Sequence, residues 1–226
     1  MQEFRRVPSS VLLFVGLWIL YNSNLRPIAS GDSLPASLIP FSILFDHTVT
    51  LDRFGPWLYA HVPYSPGVVK LIGRHFYSGY PIGGPLLATP LYLPLLLVPP
   101  LRSWEPGSLV ALARILEKLA ASTIAALSAV VLLALLKRLT SERWAWRLTL
   151  VYALATVTWS NSSQALWQHA PSQLALIASM LYFESWRENR SPQRNLWWCG
   201  AWVACALMIR PSNVVLLPAL LHRCEP

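Results

Sequence analysis

Long apolar runs broken by short polar clusters dominate the chain. Pro8 to Leu20 is apolar, then Leu109 to Leu136, Leu148 to Trp159, Pro171 to Trp186, Leu196 to Ile209 and Val214 to Leu221. Each predicts a helix, because no run alternates with the period of two that a half-buried strand requires. Runs of this length and purity suit the hydrocarbon of a bilayer, with shorter ones extending into their polar flanks. The pattern predicts an all-α, polytopic membrane protein of about six transmembrane helices.

The charges orient these spans. Lys137, Arg138 and Arg143 follow the second run, and Arg187, Arg190 and Arg194 lie between the fourth and fifth. Short loops rich in Lys and Arg stay on the cytoplasmic side. Both clusters are therefore expected inside, together with Arg5 and Arg6 of the N-terminus. The first run is read either as a cleaved signal peptide or as an uncleaved first span, the anchor being the preferred reading. Trp104, Trp144, Trp146, Trp159, Trp167, Trp186, Trp197 and Trp198 fall at or near run ends, where an indole finds both apolar and polar surroundings. Ala121, Ala125 and Ala129, with Ser122 and Ala126, give the second span a small-residue face suited to close packing.

Residues 1–226 are read as one transmembrane domain in three parts. These are the basic segment and first span (1–21), an external loop (22–108) and the remaining spans (109–226). Within the loop, Tyr80 to Pro100 is apolar enough to enter a membrane, yet Pro85, Pro90 and Pro94 break any straight helix. It is expected as a broken juxtamembrane or re-entrant helix, with a kinked crossing as the alternative.

Composition agrees: 54% hydrophobic residues, 12% charged and a mean hydropathy of +0.44 are too apolar for a soluble domain of this size. The net charge of +8 is scattered between apolar runs, and no basic stripe with interleaved aromatics points to nucleic acid. Cys199, Cys205 and Cys224 lack metal-ligand spacing and read as small packing residues. No Walker loop, Gly-x-Gly-x-x-Gly, His-Glu-x-x-His or Gly-x-Ser-x-Gly occurs, so neither a cofactor nor a metal is expected.

Candidate chemistry lies on the expected outer face. Asp32, in Gly31-Asp32-Ser33, stands just beyond the first span, where an acid is costly unless paired or used. It reads as a catalytic base or as the N-cap of a helix over Leu34 to Leu44, and the two are compatible. Asp46 and Asp52 read as turn residues. His61 with Tyr59 and Tyr64, and Lys70, Arg74 and His75, share the loop. Arg114, Glu117, Lys118, His169 and Arg210 sit at outer span ends, where each has a structural reading as a bridge, a cap or a snorkelling side chain.

Several stretches carry a family resemblance: Asn24-Leu-Arg-Pro-Ile-Ala-Ser-Gly-Asp32-Ser, Tyr80-Pro-Ile-Gly-Gly-Pro-Leu-Leu-Ala-Thr-Pro, Glu117-Lys118-Leu-Ala-Ala-Ser, Thr158 to His169, and Arg210-Pro-Ser. Across essentially its whole length the chain resembles the membrane glycosyltransferases of the GT-C fold. The group it looks most like is that of the bacterial mannosyl- and aminoarabinosyl-transferase-like proteins of the cytoplasmic (inner) membrane. The resemblance implies a polyprenyl-phosphate-sugar donor, an acid in the first external loop acting at the acceptor, and juxtamembrane helices lining the cavity. It implies Asp32 as catalytic base and Arg74, Arg114, Lys118, His169 and Arg210 as candidates for substrate binding. Such proteins usually have nine or more spans, so this chain reads as an N-terminal portion. A transporter or flippase component, or a non-catalytic membrane protein, are the rival readings.

Overall fold

The computed structural model describes residues 8–28, 30–188 and 191–222. The basic residues Arg5, Arg6, Arg190 and Arg223, together with Cys224, lie outside them. The fold is helical, with one small hairpin. Helix α1 spans Ser9–Asn22. Helices α2 (Leu34–Phe41), α3 (Gly55–His61) and α4 (Ser65–Val68) follow, then strands β1 (Val69–Ile72) and β2 (His75–Ser78). Helix α5 (Gly83–Tyr92) leads to α6 (Pro106–Leu139), α7 (Glu142–Leu154), α8 (His169–Arg187), α9 (Pro192–Ile209) and α10 (Leu216–His222).

Helix α6 is the axis. Its 34 residues are rich in Ala and Leu, Pro106 opens it where the missing N–H costs nothing, and Lys137 and Arg138 complement the negative end of its dipole. Ala121, Ser122, Ala125, Ala126 and Ala129 are all buried, so the small-residue face lies inside the bundle. Helices α1, α7 and α8 pack against α6, and α9 packs along α8. Hydrogen bonds fix α1 antiparallel to α6: Trp18 Nε1 donates to Thr123 Oγ1 at 3.1 Å, and Asn22 Nδ2 to Ser122 Oγ at 2.9 Å. Tyr21 donates to the Ala153 carbonyl at 3.0 Å, which places the end of α7 beside the end of α1.

Among the described residues, α6 alone is long and apolar enough to cross a bilayer by length and composition. The other apolar runs form helices too, but with shifted limits. The third run is helical as Glu142–Leu154, and the chain past it forms a π-turn at Thr158–Ser162. The sixth is a 3₁₀ turn at Pro211–Val215 followed by the seven residues of α10. In the proline-rich segment Pro85 and Pro90 do not break the helix, since both lie within α5. It stops at Tyr92, before Pro94, and the chain continues as 3₁₀ turns at Leu93–Leu97 and Pro99–Ser103. Ten residues of helix reach about 15 Å, half the hydrocarbon thickness.

The hairpin was not anticipated from the sequence. Its turn is Gly73-Arg74, between the paired Ile72 and His75, and Gly73 holds φ +64°, the left-handed conformation a two-residue turn demands. Asp52 pins the hairpin to the preceding loop. Its Oδ1 accepts from the Phe76 N–H at 2.7 Å, and its Oδ2 meets His75 Nδ1 at 2.7 Å.

Candidate functional site

Four segments distant in sequence meet around one cavity of about 120 Å³. Asp32 comes from the α1–α2 loop, Tyr80 to Pro85 from the start of α5, Leu166 to His169 from the start of α8, and Arg210 from the end of α9. The juxtaposition follows from the bundle: α8 begins where its antiparallel partner α9 ends, and α5 packs on the end of α9. Gly83 makes that last contact possible. A Cβ there would come within 2.5 Å of the backbone of Met208 and Ile209. Arg210 is the very next residue, so this close approach sets its position.

Asp32 is exposed, and Tyr80 donates to its Oδ1 at 2.6 Å. The cap reading of Asp32 finds no support: the N-cap position of α2 is Ser33, and no side-chain cap bond is made. The hydrogen bond to Asp32, helped by partial burial and by the carboxylate's charge, pushes the Tyr80 phenol up to about 12. Tyr80 therefore stays a donor and holds one oxygen of Asp32, and the other oxygen remains an acceptor. Burial, and then the charge of Arg210, hold the His169 imidazole below its ordinary value. At neutral pH His169 is uncharged and Arg210 supplies the positive charge. Arg210 is exposed and forms no ion pair among the described residues. The cavity thus presents one acid, one cation, one neutral imidazole and a phenol, with an apolar wall from Ala36, Pro85 and Leu166.

The remaining expected residues lie elsewhere. Arg114 Nη1 pairs with the buried Glu117 at 3.1 Å and donates to the Ser30 carbonyl at 2.9 Å. Glu117 also accepts from the Leu166 N–H at 3.2 Å. This ion pair fixes the loop carrying Asp32 against the loop carrying His169. Lys118 is buried and donates to Asn24 Oδ1 at 3.2 Å and to Gln164 Oε1. It borders a second hollow of about 410 Å³, with Arg26, Leu25, Ile115 and Leu119. Arg74 is exposed at the tip of the hairpin turn, outside both hollows.

The loop residues weighed as candidates are engaged in local structure. Asp46 pairs with Arg53 at 3.3 Å, and His61 stacks on Trp57 at 4.7 Å between ring centroids. Tyr59 donates to the Val69 carbonyl at 3.0 Å, and Lys70 to that of Pro66 at 3.0 Å. Tyr80 and Arg26 were not singled out as site residues from sequence. Tyr80 shares a segment with the conspicuous Gly83-Gly84 pair, but nothing local says that its hydroxyl reaches Asp32, 48 positions away. Among the described residues no cluster of three His, Cys, Asp or Glu side chains is close enough to hold a metal ion. Comparison with protein-family models, with curated proteins and with solved structures finds no match to this chain.

Proposed function

We propose that the chain is, or is part of, a polytopic membrane glycosyltransferase of the GT-C type. It would move a sugar from a polyprenyl-phosphate donor to an acceptor at the outer face of the bacterial cytoplasmic membrane. The observation that carries this reading is the cavity that brings Asp32, Tyr80, His169 and Arg210 together from four separated segments.

The membrane placement rests on where the charges fall along α6. About 20 helical residues span the hydrocarbon. Counting back from Lys137, at the basic end, reaches Glu117 and Lys118, so these two lie at the opposite boundary and Arg114 beyond it. Asn24 and Gln164, both bonded to Lys118 or to each other, mark the same level on α1 and on the α7–α8 loop. Helices α8 and α9, with 19 and 18 residues, are about 28 and 27 Å long and cross with modest extension. The cavity then opens just outside the apolar layer, where a lipid phosphate sits.

The chemistry follows from the four side chains. An acceptor hydroxyl or amine attacks the anomeric carbon as the bond from that carbon to the phosphate oxygen breaks. Asp32 takes the acceptor's proton, and the polyprenyl phosphate leaves with the bonding electrons. Tyr80 keeps the carboxylate oriented. Arg210 neutralises the leaving phosphate, with a guanidinium geometry matched to two of its oxygens. A cavity of 120 Å³ is smaller than the several hundred Å³ of a full ligand site, so it holds the reacting phosphate-sugar junction while the prenyl tail stays in lipid. Lys118, tied to Gln164 and Asn24, and Arg114, tied to Glu117, hold the walls of this site in place.

A photoreactive polyprenyl phosphate tests the assignment. Crosslinks should fall on peptides containing Tyr80–Pro85, Leu166–His169 or Arg210, and unlabelled polyprenyl-phosphate sugar should compete. Labelling confined to other parts of the chain overturns the reading.

A further inference from the structure

We infer that the opposite, basic end of the bundle carries a site for the phosphate of an anionic phospholipid headgroup. A polar cavity of about 370 Å³ lies between the ends of α6, α8 and α9, lined among others by Arg138, Tyr182, Ser185, Ser191, Arg194 and Asn195. It is far from the transferase cavity along the same helices, since α8 and α9 have their other ends there.

Three features make it an anion site. Two guanidinium groups reach it from different helices, Arg138 from the last turn of α6 and Arg194 from the first turn of α9. The nearby carboxylates leave one of them uncompensated: Glu188 pairs with Arg138 at 3.1 Å and Glu184 with Arg187 at 3.1 Å, whereas Arg194 forms no ion pair among the described residues. Third, α9 begins here with no side-chain cap. The first intrahelical bond runs from the Asn195 N–H to the Ser191 carbonyl at 3.1 Å, so the amides of Gln193 and Arg194 precede it at the positive end of an 18-residue helix. Ser191 adds a hydroxyl to the lining, whereas the Ser185 hydroxyl donates to the Leu181 carbonyl at 2.7 Å. An uncompensated arginine beside a paired one, free amides and a hydroxyl around one concavity match the oxygens of a phosphate.

The location selects the source. In the proposed topology this end faces the cytoplasmic leaflet, whose anionic lipids collect at basic pockets between helices. The exposed, apolar Leu196 and Trp197 follow within one turn of Arg194, where the acyl chains of such a lipid begin. The site therefore rests on the membrane orientation given above, but not on the transfer chemistry.

The test uses the purified chain in detergent, mixed with equal amounts of dioleoyl phosphatidylglycerol and dioleoyl phosphatidylcholine and read by native mass spectrometry. Phosphatidylglycerol adducts should dominate. Arg138→Gln/Arg194→Gln should lower their affinity roughly 25-fold, about fivefold per arginine, and leave the phosphatidylcholine adducts unchanged. Arg194→Gln alone, at an exposed position that breaks no ion pair, should lose about fivefold, while Arg138→Lys/Arg194→Lys retains the preference. Millimolar inorganic phosphate should not displace the lipid. Undiminished phosphatidylglycerol binding in both glutamine variants, or equal binding of the two lipids to the unchanged chain, overturns the site. Full displacement by inorganic phosphate overturns the lipid as its source. No sugar donor is present, so a failed transfer assay leaves this result standing, and the reverse holds too.

Discussion

At the scale of the residue, Asp32 and Arg210 were legible because a charge at the edge of an apolar run has to be explained. Their company was not, since neither the Tyr80 hydroxyl nor the depth of His169 can be read from local pattern. The cationic candidates divide on contact. Arg114 and Lys118 have buried partners that occupy them, whereas Arg210 is left open to the cavity. Two expectations follow. Arg210→Gln removes a positive charge that helps keep His169 neutral, so the His169 titration midpoint should rise toward the ordinary imidazole value. Titration of the His169 ring protons by NMR reads this directly, and an unmoved midpoint would separate the two residues. Tyr80→Phe leaves Asp32 without its 2.6 Å donor while preserving the ring. If Tyr80 orients the base, turnover should fall about tenfold with donor KM little changed, the size of one hydrogen bond to a charged group. A higher KM at unchanged turnover would instead give Tyr80 a binding role.

Among the elements, helices were easy to read and their ends were not. The limits of α7 moved because Glu142, Arg143 and Arg147 are charged yet helical, so the apolar run understates the helix at one end. Hydropathy marks where lipid or core is wanted, whereas hydrogen bonding decides where a helix stops. The hairpin was missed because four residues per strand leave little alternation, and because the decisive pin is Asp52, far from β2 in sequence. The proline-rich segment was legible in part: the α-helix ends just before Pro94, which acts locally on the backbone, but Pro85 and Pro90, also expected to break it, lie within α5. Gly83 is the sharpest test at this scale. Gly83→Ala must push the start of α5 off the backbone at Met208 and Ile209, at a cost of about 1–3 kcal/mol as for other overpacked sites. Thermal unfolding in detergent should register the loss. Gly16→Ala, where the added carbon meets nothing within 4 Å, should be harmless by comparison.

Taken whole, the molecule is organised by its two ends. One gathers Lys137, Arg138, Arg187 and Arg194, and the other Asn24, Lys118, His169 and Arg210, with the long α6 joining them. The alternation of runs and charges anticipated this segregation, because successive antiparallel helices return alternate connections to the same end. The six expected spans were less legible: among the described residues only α6 is long and apolar enough to cross a bilayer, and α1 and α7 have only 14 and 13 residues. In the proposed topology a cysteine at Ser141→Cys, with Cys199, Cys205 and Cys224 replaced, should resist an impermeant maleimide applied from outside, and one at Ser30→Cys should react. External labelling at Ser141 reverses the arrangement. Transfer itself is tested most directly at Asp32. In detergent or membranes, the chain should release polyprenyl phosphate from at least one member of a panel of polyprenyl-phosphate hexoses and pentoses supplied with acceptor lipid. Asp32→Asn keeps the size and the bond from Tyr80 but cannot take the acceptor's proton, so release should fall on the order of 10²-fold or more with expression and donor crosslinking intact. An Asp32→Asn chain that expresses, binds donor and releases polyprenyl phosphate at the unmodified rate would contradict the account.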